Sequence, residues 1–426
     1  MSSLGAARNE SFRAAAGLTQ RADYTQKHNT ASGRHGWLRL TPAYSLKIVN
    51  ELLGENANER RVLDPFCGTA TTALCAATRG AEASTTELNP FLVWFCQAKT
   101  ARYDAAVIDE AETMARTILV ELQNGHGSIS EPPPIHNIER WWNPYALLFL
   151  RKLKGGIDAS LISATAKNLL LVAFCRTLIG LSNAAFNHQS MSFKDVATQP
   201  SMFKDADGEG ARVGAFARDV AFVLLTAGEN PVGDVRVIQS DARTLTELQP
   251  SEPFDLAITS PPYPNRMSYI RELRPYMYWL GFLKDQRAAG DMDWEAIGGT
   301  WGAATSRLKG WTRAGEGFRP AYLCEILQSI TAPVNSNGDL LANYVEKYFE
   351  DMFEHLGALR SVLAPRARVH YIVGNSTFYR VLLPVERLYA DMLTMLGFQD
   401  VTIRAVRKRN SKKELVEFDV AAIWPG

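Results

Sequence analysis

The chain has 426 residues, 46% apolar and 21% charged, which is enough for one large or two ordinary domains and too apolar for a mainly disordered chain. Lys and Arg number 46 against 45 Asp and Glu, which excludes a globally basic coat for nucleic acid and leaves a local basic face open. The five cysteines are scattered and form no C-x-x-C, so neither a disulfide scaffold nor a zinc ribbon is expected, and no metal site is. The N-terminus lacks the apolar core of a signal peptide, and no apolar run is long enough to cross a bilayer; the expectation is a soluble protein of a reducing compartment.

Residues 1–27 are small and polar and read as a flexible arm. Residues 28–100 open with an amphipathic helix near Pro42. A strand (61–66), a helix (69–80), a second strand (81–90) and a second helix then alternate, which predicts a parallel sheet with helical crossovers. Residues 101–233 carry four helical patterns (105–123, 141–154, 161–181, 212–227) around a polar loop at 182–205, and read as a mainly helical insertion. The α/β rhythm returns in 234–283 with strands at 235–242 and 254–263 and a helix at 267–283. Residues 284–338 are rich in Gly and Trp, show no periodicity, and read as an irregular surface insertion. A long helix (339–363), a strand (367–374), a helix (384–396) and two strands (399–407, 414–424) close the chain over 339–426.

Two loops carry chemistry. In the first, Asp64-Pro65-Phe66-Cys67-Gly68-Thr69-Ala70-Thr71-Thr72 follows a strand and opens a helix. A tight glycine turn lets backbone N–H groups approach a ligand, and the helix N-terminus favours an anionic group. Glu87 closes the next strand, where an acid commonly takes a ribose diol by two hydrogen bonds. Alone, these features indicate a nucleoside-containing cofactor, or an ordinary strand–turn–helix. Cys67 and Cys75 read as small buried hydrophobes, with a nucleophile as the other reading. In the second loop, Thr259-Ser260-Pro261-Pro262-Tyr263 follows the strand FDLAI. Its prolines fix the backbone and leave carbonyls to accept, Ser260 Oγ accepts as well, and Tyr263 offers a flat face. This suits a planar ring held by its amino group.

Together, DPFCGTATT and TSPPY resemble the motifs of the S-adenosylmethionine-dependent DNA amino-methyltransferases. The resemblance covers 28–100, 234–283 and 339–426. It implies a Rossmann-like methyltransferase fold: an α/β, mainly parallel seven-stranded sheet with helices on both faces, here carrying a large helical insertion. It also implies S-adenosyl-L-methionine as cofactor. The cofactor would be held by Thr41, Pro42 and Tyr44 before the first loop, by Asp64, Phe66, Cys67, Gly68, Thr69, Thr71 and Thr72 in it, by Glu87, Leu88 and Asn89 at the second strand end, and by Asp241, Ala242 and Thr259. Asp241 would take the adenine amino group. Ala70 stands where the family has a second glycine, and a methyl group there would crowd a close backbone approach.

The implied catalytic residues are Ser260, Pro261, Pro262 and Tyr263. Hydrogen bonds from both amine protons to Ser260 and to the carbonyl near Pro261 would favour a tetrahedral nitrogen, whose lone pair attacks the sulfonium methyl in line. A target inside a duplex must be flipped out, with Tyr263 stacking on it. Ser at the head of S-P-P-Y is similar to the cytosine-N4 enzymes. Cytosine-C5 chemistry is disfavoured, because no Pro-Cys dipeptide supplies the thiolate. Arg407, Lys408 and Arg409, with Arg404, Lys412 and Lys413, read as a phosphate clamp at the last hairpin or as a solvated tip. Arg307, Lys309 and Arg313 make 284–338 the first candidate for reading sequence. The amide-rich loop with Asn183, Asn187, His188, Gln189 and Ser190 is the second. His28 and His35 read as structural or phosphate-near.

The resulting expectation is a site-specific methyltransferase acting on the N4 amino group of a flipped cytosine in double-stranded DNA. It would belong to a restriction-modification or other prokaryotic defence system, in the cytosol or nucleoid, with a cognate restriction endonuclease as partner. The competing readings are an adenine-N6 enzyme, an RNA amino-group methyltransferase, and a non-catalytic DNA-binding module on a decayed methyltransferase fold.

Overall fold

The computed structural model describes residues 18–40, 43–185, 192–193, 208–265, 268–315, 317–332, 337–409 and 415–426. Seven strands form one sheet: β1 (Arg61–Asp64), β2 (Glu82–Glu87), β3 (Val235–Gln239), β4 (Phe254–Thr259), β5 (Leu363–Gly374), β6 (Gln399–Lys408) and β7 (Val416–Ile423). Their order is β6-β7-β5-β4-β1-β2-β3. The pairings from β5 through β3 are parallel, while β7 runs antiparallel to both β5 and β6. This mostly parallel seven-stranded sheet is consistent with the expected Rossmann-like methyltransferase fold.

The central strands β1 and β4 are buried on both faces, as parallel strands flanked by helical crossovers are. On β1, Val62 and Leu63 enter different cores; on β4, Leu256 and Ile258 enter one and Ala257 the other. On one face lie α1 (Leu46–Leu53) and α2 (Thr71–Thr78). On the other lie α11 (Ala321–Thr331), α12 (Gly338–Leu359) and α13 (Val385–Met395). Local chemistry starts the helices that matter for the site. Ser45 caps α1 by accepting from Lys47 N. Asn89 caps α3 (Pro90–Thr100) by accepting from Phe91 N, with Pro90 preset in its first turn. Thr85 and Thr86 of β2 donate to the Asp64 and Pro65 carbonyls, each at 2.8 Å, tying the two strand ends together.

Between α3 and β3 the chain supplies α4 (Ala105–Gln123), α5 (Pro144–Ala159), α6 (Ala164–Gly180) and α7 (Glu209–Ala227), plus a two-stranded ribbon pairing Ala184–Ala185 with Ser192–Phe193. These helices share a third core with α3 and with α8 (Tyr269–Trp279). Aromatic rings join them: Phe91 stacks on Tyr276 with centroids 5.2 Å apart, and Trp142 and Phe174 meet Trp279 edge-on at 5.7 and 5.5 Å.

Two expectations are corrected. The stretch 284–338 contains three helices, α9 (Gln286–Glu295), α10 (Ala303–Gly310) and α11, rather than irregular chain. Scattered Gly and Trp residues obscure the apolar pattern of this stretch, and tertiary contacts hold its helices: α10 and α11 pack on α12 through Leu308, Leu323, Ile326 and Ile330. The arm expected over 1–27 is ordered from Leu18 onward, where Tyr24 is buried and its hydroxyl bonds Glu51; residues 1–17 lie outside the described residues. Among the described residues no helix is long and apolar enough to cross a membrane.

Candidate active site

The β1–α2 loop, the β2 end, the β3 end and the β4 loop converge on one cavity of about 730 Å³. That volume lies within the range that encloses a small organic ligand. Its walls include Tyr44, Phe66, Cys67, Gly68, Glu87, Leu88, Asn89, Asp241 and Ala242 from one half of the chain's expected site, and Ser260, Pro261, Pro262 and Tyr263 from the other. Arg407, Lys408 and Arg409 also reach it. Asp64, Thr69, Thr71, Thr72 and Thr259 do not line it; all five are buried behind the wall. Thr41 and Pro42 lie outside the described residues.

The buried set braces the loop from behind. Asp64 Oδ1 accepts from Thr259 Oγ1 at 2.6 Å and from Phe66 N at 3.1 Å, which ties the two functional loops together. Thr72 bonds the Tyr44 hydroxyl and donates to the Ile258 carbonyl at 3.1 Å. Lys99 is fully buried and donates to the Thr69 carbonyl at 2.6 Å; burial pulls its ammonium down to about 8. The turn itself needs positive φ at Gly68 (52°) and at Ala70 (56°). Ala70 therefore carries left-handed strain, yet its methyl group packs in the core and does not crowd the cavity. Cys75 is a buried thiol whose proton burial holds up to about 12, and Cys67 Sγ and Cys96 Sγ lie 2.7 Å apart beneath the loop.

Glu87 faces the cavity with Oε2 accepting from Gly68 N at 3.1 Å and Oε1 from Asn89 N at 2.9 Å. Burial raises its carboxyl to about 7 despite those donors. Asp241 is less available than expected. Arg243 grips its carboxylate through Nε and Nη2, the closest contact being 2.6 Å, and Arg243 N donates to Oδ1 at 2.9 Å. A cavity with an acid at a strand end, an apolar wall of Phe66, Leu92 and Ile297, and a glycine turn fits an adenosyl group.

The β4 loop is held by groups distant in sequence. Ser260 Oγ donates to the Ile372 carbonyl of β5 at 3.1 Å. The Pro262 carbonyl accepts from Tyr348 Oη at 2.8 Å, and Tyr348 and Tyr389 share a further bond of 2.7 Å. Tyr263 Oη donates to Glu417 Oε1 at 3.0 Å, and Arg407 holds the same carboxylate through two bonds of 2.8 and 3.1 Å. The Arg409 guanidinium lies 4.9 Å over the Tyr263 ring and donates to the Asn375 carbonyl at 2.8 Å. Asn375 Oδ1 accepts from Val416 N at 2.9 Å, so the IVGNS segment seats β7 beside the loop.

This revises the phosphate clamp. Arg407 and Arg409 are engaged inside the site, because the alternation of β6 turns them toward Glu417 and Tyr263. Lys408 lines the cavity, whereas Lys412 and Lys413 lie outside the described residues. The basic residues of 284–338 lie away from the cavity. Arg307 pairs with Asp291 at 2.6 Å, Arg313 lies 3.7 Å from Glu346, and Lys309 is exposed on α10. Asn183 holds the Arg140 and Trp141 carbonyls at 3.2 and 2.7 Å, while Asn187, His188, Gln189 and Ser190 lie outside the described residues. His35 is half-buried with Nε2 3.7 Å from Cys75 Sγ, and His28 is exposed.

Sequence reasoning missed Glu417, Tyr348, Lys99, Leu92, Arg243 and the segment carrying Gln20, Arg21 and Tyr24 along the cavity. Glu417 left a signal: with Asp419 it is one of two acids in the apolar run of β7, where a buried charge needs a partner. Tyr348 left none, since an amphipathic helix buries tyrosines routinely. Among the described residues no cluster of His, Cys, Asp and Glu can hold a metal ion.

The sheet order and the two loops meeting in one cavity are consistent with a Rossmann-like methyltransferase. The chain is similar to the Type II methyltransferase M.MvaI of Kocuria varians, at 20% identity over 353 residues, 78% of this chain and 74% of that protein. It is also similar to the Type II methyltransferase M.BsoBI of Geobacillus stearothermophilus, at 21% identity over 433 residues, 91% of this chain and 84% of that protein. No family model matches the chain.

Proposed function

We propose that this chain is an S-adenosylmethionine-dependent DNA methyltransferase that modifies the N4 amino group of a flipped cytosine, within a prokaryotic restriction-modification system. The observation that carries this reading is the Ser260 hydroxyl. Its proton has the Ile372 carbonyl at 3.1 Å as its nearer acceptor and the Tyr263 hydroxyl at 3.5 Å as a longer one, and either way its lone pairs are left to accept a hydrogen bond from a target amine. The two Type II methyltransferase relatives support the choice of a DNA substrate.

Bound S-adenosylmethionine supplies an electrophilic sulfonium methyl group. Glu87 would take the ribose hydroxyls, the Phe66–Gly68 turn and Leu88–Asn89 would surround the nucleoside, and Tyr44 would flank the methionine end. Ala242 and the Arg243-held Asp241 would border the adenine. Ser260 and the carbonyl beside Pro261 would draw the two amine protons and pyramidalise the nitrogen. Tyr263 has Arg409 over one ring face, which leaves the other to stack on the base. Much of the rate then comes from holding two reactants in line at near-contact distance.

The test is mass spectrometry of nucleosides from duplex DNA treated with the protein and S-adenosylmethionine. N4-methylcytosine is expected, and Ser260→Ala should abolish it while cofactor binding by calorimetry stays within a few-fold. A sole N6-methyladenine product would overturn the base assignment. Absence of any methylated base with normal cofactor binding would favour a non-catalytic DNA-binding role.

A further inference from the structure

Helix α8 begins directly after the catalytic loop, and its first residues, Tyr269 and Ile270, wall the cavity. Arg271 comes next. Arg274 stands one turn on, about 6 Å along the helix axis from Ile270. Both arginines are half-buried, and among the described residues the Nε atom of each, shielded from water, has no hydrogen-bond partner. Among the described residues neither guanidinium has an ion pair. Several other half-buried or buried arginines are partnered, Arg34 by main-chain carbonyls, Arg176 by Asp219, Arg243 by Asp241 and Arg407 by Glu417, whereas Arg212, buried on α7 away from the cavity, shares the unpartnered Nε of Arg271 and Arg274. Two cations one turn apart repel each other, and leaving their donors dry costs free energy unless an anion arrives.

The surroundings are built to hold these charges in place. The Arg274 guanidinium lies between two indoles, 5.1 Å from the Trp141 ring and 5.1 Å from the Trp301 ring. Trp301 is held through its main-chain N–H, which donates to Asp293 Oδ2 at 2.6 Å, and the other oxygen of Asp293 accepts from Ser268, the N-cap of α8. Trp141 is fixed through its carbonyl by Asn183 N at 2.7 Å. The helices before β3 and the segment after α8 thus each place one tryptophan on the same arginine. Burial and the neighbouring Arg271 pull the Arg274 guanidinium down to about 10.

We propose that Arg271 and Arg274, braced by Trp141 and Trp301, bind the DNA backbone phosphate next to the target nucleotide. This rests on the DNA-methyltransferase reading above. A nucleotide turned into the cavity stays joined to a phosphate on each side, so those phosphates must lie at its mouth, where α8 starts. Guanidinium forks match phosphate oxygens bidentately, and the anion supplies the acceptors that both Nε groups lack. The tryptophan brace keeps Arg274 extended before DNA arrives, which lowers the ordering cost of binding.

The experiment is fluorescence anisotropy of the full chain with a labelled duplex over a series of KCl concentrations. The Arg271→Gln, Arg274→Gln double variant should lower the slope of log K against log salt by about 0.9, the loss of one phosphate contact, and each single variant should lower it by part of that. The loss should be the same for duplexes of unrelated sequence, because phosphates carry no base identity. Cofactor affinity by calorimetry should not move, and Arg274→Lys, which keeps the charge, should retain most of the slope. Folded variants that keep the wild-type slope would overturn the proposal and leave the arginines as packing for the tryptophans. Should the Arg274 variants unfold, the more peripheral Arg271→Gln decides the matter by the same criterion. Tighter binding to single-stranded RNA of the same sequence than to the duplex would overturn the DNA assignment. If wild-type protein binds S-adenosylmethionine but no duplex at low salt, both this proposal and the DNA reading fall; if wild-type binds and the variants keep its slope, this proposal alone falls.

Discussion

Tyr263 is anchored at its hydroxyl and along one face of its ring. Glu417 accepts the phenol proton, and Arg407 holds Glu417 in place by two charge-assisted bonds. Burial and the Glu417 carboxylate push the phenol well above the ordinary tyrosine range, so it stays protonated and donating. Glu417 is therefore a positioning residue for the ring proposed to stack on the base. Glu417→Gln removes the charge that Arg407 answers and loosens the ring. The expected outcome is a fall in kcat for methyl transfer of roughly tenfold, or about 1.4 kcal/mol in the barrier, with the KM for cofactor unchanged. Equal kcat in steady-state assays of the two proteins would show that the ring is placed by packing alone.

At the scale of elements, the catalytic loop is a short stretch whose conformation is set by pieces far away in sequence. Helix α12 donates Tyr348 Oη to the Pro262 carbonyl, and α13 backs that hydroxyl with Tyr389. Strand β5 accepts from Ser260, and β6 and β7 hold Tyr263. Tyr348→Phe deletes one buried bond without opening a cavity. Stability should drop by about 1 kcal/mol, visible as a lower urea midpoint. The Kd for cofactor should stay the same, because Tyr348 does not line the cavity. Methyl transfer should slow several-fold as the loop gains freedom. A loss of cofactor affinity equal to the loss of rate would show instead that α12 supports the whole cavity.

Over the whole molecule, the buried carboxylates under the cavity couple folding to pH. Asp64 is fully buried, and burial raises its carboxyl to about 7, with the charge of Glu87 adding to the shift. In the unfolded chain it titrates near the ordinary carboxylate value of about 4. Between pH 4 and 7 the folded state therefore binds more protons than the unfolded state, so its contribution to stability is full below about 4 and is lost as pH rises through 7. The buried His355, held down to about 4 by desolvation, acts in the opposite sense over the lower part of that window. The clean observable is a difference. Asp64→Asn keeps the acceptor for Thr259 and Phe66 but cannot ionise. Relative to wild type it should gain stability as pH rises from about 4 to 7, by at most roughly 1.4 kcal/mol per pH unit. Urea titrations of both proteins across that range measure it, and a constant difference would mean that Asp64 is ionised throughout.

Much of the fold and part of the site can be read from the chain alone, because they depend on local rules. Alternating strand and helix patterns around DPFCG, STTELNP and FDLAITSPPY predict crossovers in a parallel sheet, and glycine, proline and cap residues mark where each loop turns. The same rules place Glu87 and Ser260 at strand ends, where a Rossmann-like sheet opens a crevice, and the cavity receives both. Tertiary structure alone decides the rest. It turns Arg407 and Arg409 inward rather than toward solvent, since strand alternation becomes a direction only once β6 has a partner. It makes helices of 286–331, whose segments are too short to hold a helix without α12 to pack against. It also puts Asp64 behind the wall, delivers Glu417, Tyr348 and Lys99 to the loops, and leaves Arg271 and Arg274 with no acid beside them among the described residues. Each of these depends on contacts between residues far apart in sequence, and a pattern within one segment carries no record of them.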